Sequence, residues 1–128
     1  IQGLYISVKI VYPVGKLNLQ DTRSHATMEI SFRNRRDELF FQDYSALRAS
    51  YGQEMADKII QRISELEAAD TPPKLPSNAR FHEHHGKRKG LFSVDLVHPY
   101  RLIVFPTCGY EDYREITSVQ IFEIMDPH

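Results

Sequence analysis

The 128-residue chain has one cysteine, no tryptophan and no excess of either charge, with 16 Lys/Arg against 17 Asp/Glu. A single cysteine, Cys108, cannot form an internal disulfide, which excludes a disulfide-stapled fold and fits a reducing cytoplasm. No apolar run approaches the roughly 20 residues that a membrane helix needs, so no membrane partner is expected. The first residues also lack the charged head and long apolar centre of a secretory signal, which favours a cytoplasmic protein.

The composition, with 41% hydrophobic and 26% charged residues, is typical of one soluble globular domain. Its charge is unevenly distributed, because residues 71–105 contain six Lys/Arg and two Asp/Glu whereas residues 106–128 contain one Lys/Arg and five Asp/Glu. A local positive excess in a near-neutral chain indicates contacts with phosphate and argues against binding of long DNA by charge alone. A solvated loop without a function remains the alternative.

Most of this positive charge lies in the stretch from Arg80 to Arg101, RFHEHHGKRKGLFSVDLVHPYR, called here the basic stretch. Its cationic side chains are Arg80, Lys87, Arg88, Lys89 and Arg101, and its acidic ones are Glu83 and Asp95. The histidines His82, His84 and His85 stand beside the cations. The mixture predicts a surface for phosphate.

A metal site and a cysteine nucleophile are the competing interpretations of these residues. His82 and His84 would point the same way on a strand, but a catalytic zinc site usually has three protein ligands. The sequence has no Cys pair, no H-E-x-x-H helix and no evident third ligand, so we expect no metal. Nothing marks a base beside Cys108, which we interpret as incidental.

Histidines among cations suit the cleavage of RNA by its own 2'-hydroxyl group. That reaction needs one group to accept a proton, one to donate a proton, and cations to stabilise the charge on the phosphate. Histidine suits the proton transfers and arginine the phosphate. Inert surfaces can have the same mixture, so composition alone leaves both interpretations open.

Residues 1–27 are predicted to be an extension of a domain that spans residues 28–128. Ile6, Val8 and Ile10 alternate with polar residues, which favours an added edge strand, although a non-native segment is also possible. The domain itself then begins with a strand predicted at Glu29–Arg33.

Two helices are predicted after this strand. Asn34 is expected to cap the first, whose apolar stripe is Phe40, Tyr44 and Leu47. Ser50-Tyr51-Gly52-Gln53 predicts a tight turn with a capping box, so the two helices should form a hairpin. The second helix carries an apolar stripe of Met55, Ile59, Ile63 and Leu66.

The remainder of the chain has the period of two that is typical of strands. Strands are predicted at Arg80–His84, Leu91–Val97, Arg101–Phe105 and Ile116–Met125, and the short links between successive strands favour antiparallel pairing. The last should be central, because its apolar residues fall on both faces. The fold class is therefore α+β, with the N-terminal strand and the helical hairpin packed on one face of a twisted antiparallel sheet, and the other face free for a polar site.

From Met28 onward, the chain resembles RelE/HigB-type toxins of bacterial type II toxin-antitoxin systems, in the superfamily of RelE, ParE and the plasmid maintenance killer proteins. The resemblance rests on motifs in a consistent order. These are Tyr51-Gly52 before the second helix, Arg80-Phe81-His82, the loop Gly86-Lys87-Arg88-Lys89-Gly90, Phe92-Ser93-Val94, Pro99-Tyr100-Arg101-Leu102-Ile103, and the ending Ile121 to His128.

The resemblance implies a RelE-like fold and a ribosome-dependent mRNA endonuclease that cuts by 2'-hydroxyl attack without a metal or other cofactor. By position, His128 and Asp126 match the C-terminal catalytic pair, and Arg101 matches the arginine that steadies the phosphate. The fourth catalytic residue that the resemblance implies is His85, which stands where relatives have a lysine. The implied RNA-binding residues are Arg88, Lys87, Lys89, Arg80 and His82. The implied partners are mRNA on the ribosome, a helix-turn-helix antitoxin, and operator DNA through the antitoxin complex, all in the bacterial cytoplasm.

Two departures from the family pattern keep alternatives open. Pro127 stands where relatives have a tyrosine that stacks on a base or helps to position the attacking group, and His85 carries less charge than the lysine it replaces. The same fold could belong to a ParE-like poison of DNA gyrase. A third interpretation is a catalytically weak toxin that only binds its antitoxin as a co-repressor.

Overall fold

A computed structural model describes residues 27–84 and 90–126 of the chain. Short turns connect most of its helices and strands. The strands are β1 (Glu29–Phe32), β2 (His82–Glu83), β3 (Phe92–Asp95), β4 (Arg101–Pro106) and β5 (Ser118–Met125). The helices are α1 (Arg35–Phe41), α2 (Tyr44–Tyr51) and α3 (Gln53–Ala69), and short 3-10 turns lie at Pro72–Lys74, Ser77–Ala79 and Tyr113–Glu115. The α+β class is as predicted, whereas the strand predicted around Ile6–Ile10 lies outside the described residues.

The five strands form one mixed sheet in the order β1-β5-β4-β3-β2. The pairs β2–β3, β3–β4 and β4–β5 are antiparallel, as the short links predicted. The prediction of a wholly antiparallel sheet is wrong at one edge, because β1 runs parallel to β5 with Glu29 opposite Ser118. Since β5 pairs on both sides, it is a central strand, as its apolar residues predicted.

The first predicted helix is two helices in the structure. The Asn34 side chain accepts a hydrogen bond from the backbone N–H of Asp37 at 2.8 Å, which confirms the predicted N-cap of α1. However, α1 ends at Phe41, and Asp43 starts α2 by accepting from the Ala46 N–H at 3.1 Å. A short acidic side chain that bonds to the backbone competes with a continuous helix, which explains the break.

The predicted capping box at Ser50–Gln53 is absent, because the N-cap of α3 is Gly52, which has no side chain to accept a capping hydrogen bond. Gly52 has φ 90° and ψ 165°, a conformation that glycine alone adopts readily, so the glycine itself makes the tight turn between α2 and α3.

The hydrophobic core lies between the helices and one face of the sheet. The α3 stripe of Met55, Ile59, Ile63 and Leu66 is buried there as predicted. The strands contribute Ile30, Phe32, Phe92, Val94, Leu102, Val104, Val119 and Ile121. In the described part of the chain, none of the helices has the length and apolar character that crossing a bilayer would require.

The strand register shows which residues lie on the second face of the sheet, called here the polar face. Residues that alternate with the core positions, and their direct cross-strand partners, share this face. One row across it consists of His82, Ser93, Ile103 and Glu123, and a second consists of Asp95, Arg101 and Met125. The polar face carries His82, Asp95 and Arg101 of the basic stretch. It is not the free surface that was expected, because Ser93 and Ile103 in its first row are fully buried.

Candidate functional site

The polar face brings together three side chains of the basic stretch that belong to different elements. Asp95 on β3 stands directly opposite Arg101 on β4. Arg80 approaches the same carboxylate from the turn before β2. Arg80, Asp95 and Arg101 are called here the Asp95 cluster.

Arg80 is not part of a strand, which corrects the predicted strand at Arg80–His84. Its φ of 53° is left-handed, and its N–H donates to the Ser77 carbonyl at 3.1 Å, closing the Ser77–Ala79 turn. A left-handed residue interrupts the extended backbone, so β2 shortens to His82–Glu83. The bend gives Arg80 its approach to Asp95.

Aromatic stacking holds the short β2 strand in place. The Phe81 ring stacks on Phe92 with the centroids 5.0 Å apart, and on Tyr113 at 6.3 Å. At the other end of β2, Glu83 accepts a hydrogen bond from the Gly90 N–H at 3.1 Å. Together these contacts fix the strand that presents His82.

Two hydrogen bonds orient the imidazole ring of His82. Its Nδ1 lies 2.7 Å from the carbonyl oxygen of Arg80, and because a carbonyl only accepts, Nδ1 must carry the proton. In the neutral ring, Nε2 then accepts from the Ser93 hydroxyl at 3.3 Å, and Ser93 is fully buried. The half-buried ring therefore has a defined tautomer, as a proton-transfer group requires.

Charge attraction, without a short hydrogen bond, joins the members of the Asp95 cluster. Arg80 Nη1 lies 3.5 Å from Asp95 Oδ2, and Arg101 Nε lies 3.9 Å from Oδ1. The Oδ1 atom is buried and accepts no hydrogen bond from the residues that the structure describes. The Arg80 and Arg101 side chains are 64% and 37% exposed, so both guanidinium groups can meet a ligand.

A buried arginine that was not predicted from the sequence holds the backbone of the segments that carry the Asp95 cluster. Arg62 on α3 is 3% exposed and donates from Nε to the Asp95 carbonyl at 2.7 Å. It also donates to the Asn78 carbonyl at 3.2 Å and to Glu65 at 2.7 Å. The sequence signal that could have identified Arg62 is its position beside the apolar stripe of α3, because a charged side chain buried there must be paired inside the protein.

The predicted site residues divide into two groups. Arg80, His82 and Arg101 lie together on the polar face, and the exposed Asp126 directly follows Met125, the cross-strand partner of Arg101. His85, Lys87, Arg88, Lys89 and His128 lie outside the described residues, as does Pro127.

The described residues also bear on the two competing interpretations, a metal site and a cysteine nucleophile. Within residues 27–84 and 90–126, no group of three His, Cys, Asp or Glu side chains could hold a metal ion. Burial tends to raise the pKa of the Cys108 thiol, but hydrogen bonds from Thr117 and Ser118 outweigh it and lower that pKa below its usual value. Cys108 packs against the hydrophobic core.

A cavity of about 420 Å³ lies near the β3–β4 turn, and the sequence did not predict it. Its walls include Tyr51, Gly52 and Met55 from the helices, and Val97 and Tyr100 from the turn. Burial and the neighbouring Tyr100 raise the pKa of Tyr51. Tyr100 immediately precedes Arg101, so one wall of the cavity continues into the strand that carries the site.

Comparisons of the chain with protein-family models, with curated proteins and with solved structures found no significant match.

Proposed function

We propose that this protein is a RelE-like toxin of a type II toxin-antitoxin system that cleaves mRNA on the ribosome by attack of the ribose 2'-hydroxyl group. The observation that carries the proposal is the convergence of an oriented histidine, His82, with two exposed arginines, Arg80 and Arg101, on one face of the sheet. The order of elements, a strand and helices followed by an antiparallel meander, supports the RelE-like fold.

Each group in this constellation has a part in the reaction. The 2'-oxygen loses its proton and bonds to phosphorus, the bond from phosphorus to the 5'-oxygen breaks, and the leaving oxygen takes up a proton. His82 is suited to one proton transfer if the substrate displaces the Ser93 hydroxyl from Nε2, a contact of 3.3 Å, while Nδ1 stays held by the Arg80 carbonyl. Arg80 and Arg101 would stabilise the charge on the phosphate.

The C-terminal residues would complete the site. Asp126 lies at the end of β5 beside the strand that carries Arg101. The resemblance assigns the second proton transfer to His128, a further catalytic role to His85, and RNA contacts to Lys87, Arg88 and Lys89. An antitoxin with a helix-turn-helix domain would neutralise the toxin in the bacterial cytoplasm and carry the complex to operator DNA.

Induced expression in bacteria tests the proposal directly. Wild-type protein should arrest growth and produce cleaved, translated messages, whereas Arg101→Ala and His128→Ala should leave growth and messages intact because they remove phosphate binding and proton transfer. Arg114→Ala is the matched control, because Arg114 is an exposed arginine that pairs with Asp112 and not with Asp95.

Two outcomes would contradict the assignment. Equal toxicity of all four proteins would show that Arg101 and His128 are not part of the toxic activity. Intact messages together with inhibition of gyrase supercoiling would favour the ParE-like alternative, and tight antitoxin binding without any cleavage would favour the co-repressor.

A further inference from the structure

We propose that the Asp95 carboxylate takes the place of a substrate phosphate between Arg80 and Arg101, and that a nucleic-acid phosphate displaces it on binding. Asp95 would thus be a competing anion built into the site, which lowers its affinity for RNA. The inference rests on the proposed function only for the source of the phosphate, which is a nucleic-acid backbone.

The position of the carboxylate is that of a bridging anion. It lies between two guanidinium groups that come from different elements, Arg101 from β4 and Arg80 from the turn before β2. One carboxylate oxygen faces each arginine, Oδ2 toward Arg80 and Oδ1 toward Arg101. A phosphodiester presents two anionic oxygens in a similar way, so it can replace the carboxylate between the same two groups.

The carboxylate holds this position weakly. Its distances of 3.5 Å and 3.9 Å to the arginine nitrogens exceed the roughly 2.7–2.9 Å of charge-assisted hydrogen bonds. Oδ1 is buried and has no hydrogen bond within residues 27–84 and 90–126, although a buried carboxylate oxygen normally has one. Ion pairs with partners as exposed as Arg80 and Arg101 contribute little to stability, so their exchange for a phosphate costs little.

The backbone of Asp95 is held independently of its side chain. Arg62 donates to the Asp95 carbonyl at 2.7 Å, and the β3–β4 register places the residue opposite Arg101. The side chain can therefore rotate away from the arginines without moving the strand. Since the contacts that fix the fold do not include the carboxylate, its removal should change ligand affinity more than folding.

Binding of a fluorescent single-stranded DNA oligonucleotide, which lacks the 2'-hydroxyl and cannot be cleaved, tests the inference by anisotropy. We expect Asp95→Asn to bind the oligonucleotide about three- to tenfold more tightly than wild type, because one opposing charge next to the phosphate is removed. Glu111→Gln is the matched control: it removes the same charge at an exposed position outside the cluster and should change the affinity less than about twofold.

A double substitution shows whether the gain acts through the arginines. In an Arg101→Ala background, the Asp95→Asn gain should largely disappear, because the carboxylate then competes for one guanidinium group only. The dissociation constant of inorganic sulfate, obtained by competition with the oligonucleotide affinity of each variant taken into account, should be lower for Asp95→Asn than for wild type, because sulfate meets the same two arginines. Asp95→Ser, which also lacks the charge, should reproduce the gain if Asp95→Asn folds poorly.

The inference would be overturned if both uncharged variants, folded by circular dichroism, bound the oligonucleotide no more tightly than wild type. An equal gain in Glu111→Gln would also overturn it, because the effect would then be one of net charge. Failure of the proposed function gives a different result: messages would stay intact on ribosomes while Asp95→Asn still bound DNA more tightly.

Discussion

His82 shows how a single residue acquires a chemical role from its surroundings. Its ring is held by the Arg80 carbonyl on one side and the buried Ser93 hydroxyl on the other. An isolated surface histidine would sample several orientations and both tautomers. A ring that is already fixed in one orientation and one tautomer is better prepared for proton transfer. The same two bonds also place the ring beside Arg80, which belongs to the Asp95 cluster.

Replacement of His82 by glutamine tests this role at the residue scale. Glutamine can keep a hydrogen bond but cannot exchange a proton near neutral pH, so we expect the single-turnover rate of mRNA cleavage on ribosomes to fall about 10²-fold or more. His98→Gln, at the exposed tip of the β3–β4 turn, should keep the wild-type rate. Equal rates for wild type and His82→Gln would remove His82 from the reaction.

At the scale of elements, the site depends on how α3 packs beneath the sheet. Arg62 joins α3 to the Asp95 carbonyl of β3 and to the Asn78 carbonyl in the turn before Arg80. One buried side chain therefore sets the distance between the two segments that carry Asp95 and Arg80. Glu65 balances its charge from the next turn of the same helix.

Arg62→Met should destabilise the domain, because it leaves two carbonyl oxygens and the Glu65 carboxylate without their donor. We expect the free energy of unfolding to fall by about 2–4 kcal/mol, measured by urea denaturation. Arg48→Met on the exposed side of α2 is the matched control and should change it by less than about 0.5 kcal/mol. Similar losses in both variants would mean that Arg62 acts only through general helix stability.

At the scale of the whole molecule, the unequal distribution of charge matters more than the net charge of -1. Residues 71–105 are basic and residues 106–128 are acidic, yet β4 and β5 from these two regions are neighbours in the sheet. Binding of a polyanion should therefore depend on a few local contacts on the polar face. Its dependence on salt reports how many phosphates these contacts neutralise.

Salt titration of oligonucleotide binding tests this view. The logarithm of the binding constant should fall linearly with the logarithm of salt concentration, and Arg101→Ala should reduce that slope by about 0.7, as expected for one lost phosphate contact with a single strand. Arg114→Ala removes the same charge near the acidic end of the chain and should leave the slope unchanged. A similar reduction in both variants would indicate attraction by net charge.

The local structure was predictable wherever neighbouring residues determine it. The Asn34 cap, the buried stripe from Met55 to Leu66 and the antiparallel meander follow from side-chain chemistry and period over a few residues, and the structure confirms them. Two local predictions failed where alternatives have similar energy. The helix breaks at Asp43 because its side chain bonds to the backbone, and the capping box at Ser50–Gln53 does not form because the Gly52 conformation makes the turn. The toxin assignment and the roles of His85 and His128 remain proposals.

By itself, the sequence determined most of the helical and extended segments, apart from the break after Phe41 and the left-handed Arg80. It also determined which residues face the core, and that positive charge and histidines gather between Arg80 and Arg101. Only the tertiary structure decided that β1 lies parallel to β5, that Arg62 reaches the Asp95 carbonyl, and that Asp95 stands between Arg80 and Arg101. The physical reason is that periodicity specifies the face on which a side chain lies, whereas its distant neighbours depend on the pairing order and register of strands. The packing of the whole chain determines both the pairing order and the register.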